Sequence, residues 1–128
     1  MAGDGNGGGD AAAEAPLALD AAELGGLREV LGSVKIAPLG RNYWERFRDL
    51  REAVDGLEEA PGGGVTAEVL ADALDEDALD FLRAVSEGLR SVAEDGFRRQ
   101  GRVEPYATAA ADADRIEPYL ELLAPHVG

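Results

Sequence analysis

Between Asp75 and Gln100 apolar positions recur at alternating spacings of four and three: Ala78, Leu82, Val85, Leu89, Val92 and Gly96. At about 3.6 residues per turn these stack on one stripe, so the spacing predicts a long helix. Phe81 widens the stripe on one flank, and Leu79 and Phe97 widen it on the other, as suits a helix touched from two sides. Asp80, Arg83, Glu87, Arg90 and Glu94 run down the polar face with alternating sign. Arginines stand between the carboxylates, so this face reads as a solvated salt-bridge ladder and not as a metal or acid/base row. Asp75, Glu76 and Asp77 lie at the positive end of the helix dipole, Arg98 and Arg99 at the negative end, and Gly101 can provide the stop.

Three further segments carry helical signals. Asp20 and Glu23 form a capping box, with Leu19 and Leu24 as a hydrophobic staple, ahead of a buried face at Leu24, Leu27, Leu31 and Val34. Gly25 and Gly26 weaken that helix unless a neighbour needs the room. Val34 to Gly40 should be extended or irregular, because Pro38 disfavours helix at Ala37. A second helix is expected from Asn42 as cap, with Glu45 as its partner and a seam at Tyr43, Phe47, Leu50, Val54 and Leu57, ending towards Pro61 and the glycines 62–64. Thr66 then caps a short helix carrying Val69, Leu70 and Leu74.

Near the C-terminus Arg102-Val103-Glu104-Pro105-Tyr106 is echoed by Arg115-Ile116-Glu117-Pro118-Tyr119. Proline is tolerated in a first helical turn, so each copy is expected to launch its own short helix. The tail after Pro125 is expected to fray. Strand formers are scarce, and no strand is expected. The fold class predicted is all-α: a small bundle of four to five helices around a long central one, with 17–128 a single domain. The glycine- and alanine-rich segment 1–16 is expected to be a disordered leader.

Charge changes this picture most. The 128 residues include 26 acidic and 12 basic ones, for a formal net charge of -14, and Lys35 is the single lysine. Such an excess opposes compaction and disfavours sequence-independent nucleic-acid binding. Acid excess with lysine nearly absent and arginine and alanine retained resembles the composition of cytoplasmic proteins of salt-in halophiles. The resemblance implies a habitat and no activity. The absence of cysteine excludes disulfides, zinc-thiolate sites and thiol nucleophiles. No apolar run reaches the length of a membrane span, and the start lacks the pattern of a signal peptide, so a cytoplasmic location is expected.

The sequence carries no recognisable catalytic constellation. His126 is the only imidazole, the serines and threonines have no nucleophile context, and the glycines lack the lysine and hydroxyl of a phosphate loop. No enzyme activity, metal or cofactor is expected. The short helix joined to the long one resembles a helix-turn-helix in outline, but the second helix begins with Asp75, Glu76, Asp77 and Asp80, which phosphates would repel. Trp44 lies about 100° off the Tyr43–Leu57 seam, on a flank shared with Arg48 and Arg51 and preceded by Arg41. Two readings compete there. In one, Trp44 packs against another helix, such as a C-terminal one bearing Tyr119 and Leu123, with arginine stems over its ring. In the other, Trp44, Arg41, Arg48 and Arg51 form a partner-binding patch, since Trp and Arg are enriched at interface hot spots.

The function expected is therefore a non-enzymatic helical interaction module, an adaptor or small subunit that binds a protein or a second copy. The alternative is an accessory protein of a nucleic-acid or transcription complex, using arginine-rich ends at Arg41 to Arg51 and Arg98 to Arg102. One prediction follows from charge alone. The domain should be loosened in about 10 mM salt and folded in molar KCl, where the Debye length falls to about 3 Å. Circular dichroism across a KCl series checks it, and an unchanged melting temperature would show that the acidic bias is compositional only.

Overall fold

The computed structural model describes residues 16–127. The expected leader, 1–16, lies outside the described residues apart from Pro16. Among those described, the chain is mostly helical, with five α-helices. They are α1 (Ala21–Ser33), α2 (Trp44–Asp55), α3 (Ala67–Ala73), α4 (Glu76–Gln100) and α5 (Tyr106–Leu123).

The longest, α4, has 25 residues and spans about 37 Å. Asp75 caps it by accepting from the Ala78 N–H at 2.8 Å, and Gly101 ends it at φ 84. Its buried face is broader than the sequence stripe and turned slightly from it. Leu79, Leu82, Ser86, Leu89, Ala93 and Gly96 are buried, whereas Ala78 and Val92 are half-buried. The reason is α5, which packs antiparallel along that side in the most extensive contact of the fold. Small residues make this seam: Ala93 and Gly96 from α4, Ala109 and Ala113 from α5, all buried. The Ser86 hydroxyl donates across it to the Ala113 carbonyl at 3.4 Å. With small residues along most of the seam, the two backbones approach closely.

Two glycines act as sockets for the two tyrosines of the echoed segments. A Cβ on Gly96 would collide with the Tyr106 ring, and one on Gly26 would collide with the Tyr119 hydroxyl. Gly26 thus meets the neighbour that its place in a helix required. Gly25 does not, because open space surrounds it. Only the first echo starts a helix. The second lies inside α5, which runs unbroken through Pro118. An interior proline costs a helix about 3 kcal/mol or more. Here the Asp114 carbonyl that Pro118 cannot satisfy lies on an exposed turn, while Ile116 is buried beside it.

The other elements close the core from the remaining sides. On α1 the Asp20/Glu23 box forms as expected, with Glu23 N–H to Asp20 at 2.8 Å. Arg28 then joins α1 to the end of α2. Its guanidinium donates to the carbonyls of Val54 at 3.3 Å and Leu57 at 3.1 Å and pairs with Glu59 at 2.6 Å. The guanidinium thus adds a donor to carbonyls at and just beyond a helix end, where the intrahelical pattern runs out. Helix α2 stops at Gly56, well before Pro61. Its start also differs from expectation: Arg41–Tyr43 forms a 3-10 turn running directly into α2, and Asn42 caps nothing.

A short antiparallel sheet pairs β1 (Leu17–Leu19) with β2 (Val65–Thr66), where no strand was expected. Gly62, Gly63 and Gly64 make it possible. Their φ values of 87, 100 and 79 suit glycine alone and turn the chain back beside β1. Thr66 then caps α3, accepting from the Val69 N–H at 3.3 Å. The tail does not fray within the described residues, because Ala124–His126 forms a 3-10 turn and Val127 is buried. No described helix is long and apolar enough to cross a membrane.

Candidate functional site

Trp44 is 49% exposed, the most exposed of the large hydrophobic side chains among the described residues. It does not reach the C-terminal helix, whose Tyr119 sits on Gly26 and whose Leu123 is in the core. Trp44 instead forms one wall of an open groove of about 670 Å³ between α2 and the connection that follows α1. Trp44, Phe47, Arg48 and Arg51 come from α2, and Lys35, Ile36 and Ala37 from the connection. Phe47 is buried beneath, so the floor is apolar and the rim is charged. Arg41 is exposed in the preceding 3-10 turn and does not line the groove. Of the four residues marked in the sequence, the structure therefore brings three together.

Sequence reasoning missed the opposite wall. Lys35, Ile36 and Ala37 are placed by tertiary contacts that no local pattern announces. The only signal was that the single lysine lies beside the proline-containing connection. The connection is held by Asp112, a buried carboxylate on α5 that is 3% exposed. Asp112 accepts from the Lys35 backbone N–H at 2.9 Å and from Arg115 at 3.2 Å, and Arg115 also donates to the Ser33 hydroxyl. A buried carboxylate requires such partners. The same connection is anchored on α4 by Leu39, which lies over Gly88. A second recess, of about 450 Å³, lies against Lys35, Ala37 and Pro38 and is walled by Glu104, Pro105 and Thr108.

The ion pairs set this groove apart. Arg28 pairs with Glu59, Arg83 with Asp80, Arg90 with Asp114 and Glu117, Arg98 and Arg99 with Asp95, and Arg115 with Asp112. Arg46 lies over the Phe81 ring at 4.4 Å and Arg102 over Phe97 at 4.5 Å. The Arg90 guanidinium is pushed above its ordinary value by its hydrogen bonds to Asp114 and Glu117. A cation raised in this way stabilises the fold at every pH below its unfolded value and loses that contribution only as pH rises above it. Among the described residues, the basic side chains outside these contacts are Lys35, Arg41, Arg51 and Arg48, the last only 3.8 Å from its neighbour Asp49. Three of these four line the groove.

A smaller groove between α2 and the start of α4 is lined by Asn42, Tyr43, Arg46, Asp77, Asp80 and Phe81. Two of its three charges are already engaged, Arg46 by Phe81 and Asp80 by Arg83, and the third, Asp77, is acidic. The described residues hold no group of three or more His, Cys, Asp or Glu side chains that could bind a metal ion. Compared with known proteins, the chain matches no family model, no curated protein and no solved structure.

The role of Asp112 is directly testable. Asp112→Ala strands the Lys35 N–H and the Arg115 guanidinium, and should lower stability by about 1 to 3 kcal/mol. Asp112→Asn retains an acceptor for the amide and should lose clearly less. Urea titration of both variants at fixed salt measures this, and a loss below about 0.5 kcal/mol for the alanine variant would show that Asp112 does not hold the connection.

Proposed function

We propose that the chain is a non-enzymatic interaction module in a salt-adapted cytoplasm, an adaptor or small subunit whose partner surface is the groove at Trp44. The observation that carries this reading is the conjunction, in one open groove, of a half-exposed tryptophan, an apolar floor and the cations Lys35 and Arg51, which have no ion-pair partner among the described residues. Elsewhere among the described residues most arginines are engaged, and the other two exposed large hydrophobic side chains, Leu17 and Val103, do not line a groove with free cations. Aromatic and arginine side chains at the centre of a groove are what protein interfaces use as anchors. No cofactor is required.

The accessory role in a nucleic-acid complex has less support. It draws on Arg98 to Arg102 as well, and there Arg98 and Arg99 both turn to Asp95 while Arg102 lies over Phe97. Those cations are already engaged within the end of α4 and the loop beyond it.

The only tryptophan reports on the proposal. Its emission should be red-shifted and quenched by acrylamide in the monomer. Trp44→Ala should leave stability within about 0.5 kcal/mol, as surface substitutions usually do, while a protein captured by the wild-type chain from a high-salt extract is lost. Identical captured proteins for both chains, or a blue-shifted and unquenchable emission from the monomer, would withdraw the groove as a partner surface.

A further inference from the structure

Resting on the reading of the Trp44 groove as a partner surface, we propose that its occupant is an acidic amphipathic peptide segment. An apolar side chain of that segment would lie between Trp44 and Ile36, over Phe47. Flanking carboxylates would meet Arg48 and Arg51 on one wall and Lys35 on the other. Charge complementarity favours this occupant in a molecule where cations are scarce. The groove is lined by three cations against one carboxylate, Glu45, on a chain of formal charge -14. With acids outnumbering bases by more than two to one, cations here had many internal partners available, yet Lys35 and Arg51 have none among the described residues. Arg51 is half-buried at the groove wall, where a carboxylate would pair with it in a partly desolvated setting.

The spacing sets the ligand pattern. Arg48 and Arg51 are three residues apart and so lie on one side of α2, and Trp44 is one turn before Arg48. Along that wall the groove covers about 10 Å, enough for one apolar anchor with an acid on either side. Lys35 faces them from a connection whose backbone Asp112 fixes, so the second wall is held in place before any ligand arrives. A groove this open suits side chains projecting from a peptide better than a small molecule, which is normally enclosed. A polynucleotide would gain from the cations, but its phosphates would face the repulsion of the whole acidic body. A second copy of the chain would bring the same net charge to the contact.

The chemistry can be read without knowing the natural partner. A display library of random, roughly 16-residue peptides is selected on the immobilised full-length chain in about 2 M KCl, where contact pairs beside an apolar anchor persist and long-range attraction does not. Enriched sequences should combine Leu, Phe or Trp with neighbouring Asp or Glu, and should protect Trp44 from acrylamide. They should bind about tenfold or more weakly to the Arg48→Glu/Arg51→Glu double variant, which introduces like-charge contacts. Peptides with Lys or Arg in place of their acids should bind that variant better than the wild type. Lys35→Glu provides a second, independent variant should the double one fail to fold.

Winners that need Trp44 but are neutral or basic would overturn the acidic chemistry and leave the groove standing as a partner surface. Winners indifferent to Trp44→Ala, or none above background, would overturn the peptide proposal while the capture experiment decides the surface separately. Tighter retention of a single-stranded oligonucleotide pool through Arg48 and Arg51 would replace the peptide with nucleic acid. Concentration-dependent self-association that buries Trp44 would replace it with a second copy.

Discussion

Close approach of α4 and α5 is the constraint on which the rest of the chain depends. Residues 17–127 contain few aromatic or β-branched side chains with which to fill a core, and the seam between these two helices works by removing bulk. Ala93, Ala109 and Ala113 are buried along it, Gly96 makes room for the Tyr106 ring, and the Ser86 hydroxyl donates to the Ala113 carbonyl. Each aliphatic layer outside the seam then rests on a paired frame. Leu82 and Leu89 extend the buried face on α4, Ile116 and Leu123 do so on α5, and α1 docks through the Tyr119 socket at Gly26. A bulkier residue in the seam would lose the dispersion contacts that dense packing provides, because interiors are close-packed and give way little.

The groove inherits its shape from that frame. Asp112 lies on the part of α5 that packs against α4, and its carboxylate reaches out to the Lys35 amide, fixing the turn after α1. Leu39 fixes the other end of the connection on Gly88. Between those two anchors Lys35, Ile36 and Ala37 face α2 across an open space. Trp44 is left half-exposed there because the seam that α2 buries, at Phe47, Leu50 and Val54, is complete without it. A geometry built from fixed points would need little ordering on binding the proposed partner, and so would lose little of the affinity that its contacts provide.

What could be read from the sequence was local chemistry. The capping box at Asp20, the Thr66 cap, the stop at Gly101 and the Phe47, Leu50 and Val54 part of the α2 seam are each set by residues within a few positions of one another, and each is found where local chemistry puts it. The departures arise where distant contacts override local preference. Pro118 signals a helix start, yet its helix continues because burial of Ile116 and the Tyr119 socket hold the next turn in place. Asn42 has the chemistry of a cap, but the 3-10 turn from Gly40 satisfies those amides first. The β1–β2 pair needs a glycine turn to bring together segments more than forty residues apart. At the groove, helical spacing alone put Trp44, Arg48 and Arg51 on one flank. Lys35 and Asp112 were invisible, because what joins them is a hydrogen bond across 77 positions of chain.

Native-state amide exchange tests most directly the claim that one frame supports both the core and the groove. The slowest amides should lie in α4 from Leu82 to Leu89 and in the facing part of α5 from Ala109 to Ile116. The Lys35 amide, which belongs to no helix or strand, should be protected well beyond its neighbours in the connection. Slowest exchange in α1 or α2, or a Lys35 amide that exchanges as freely as an exposed loop, would contradict it.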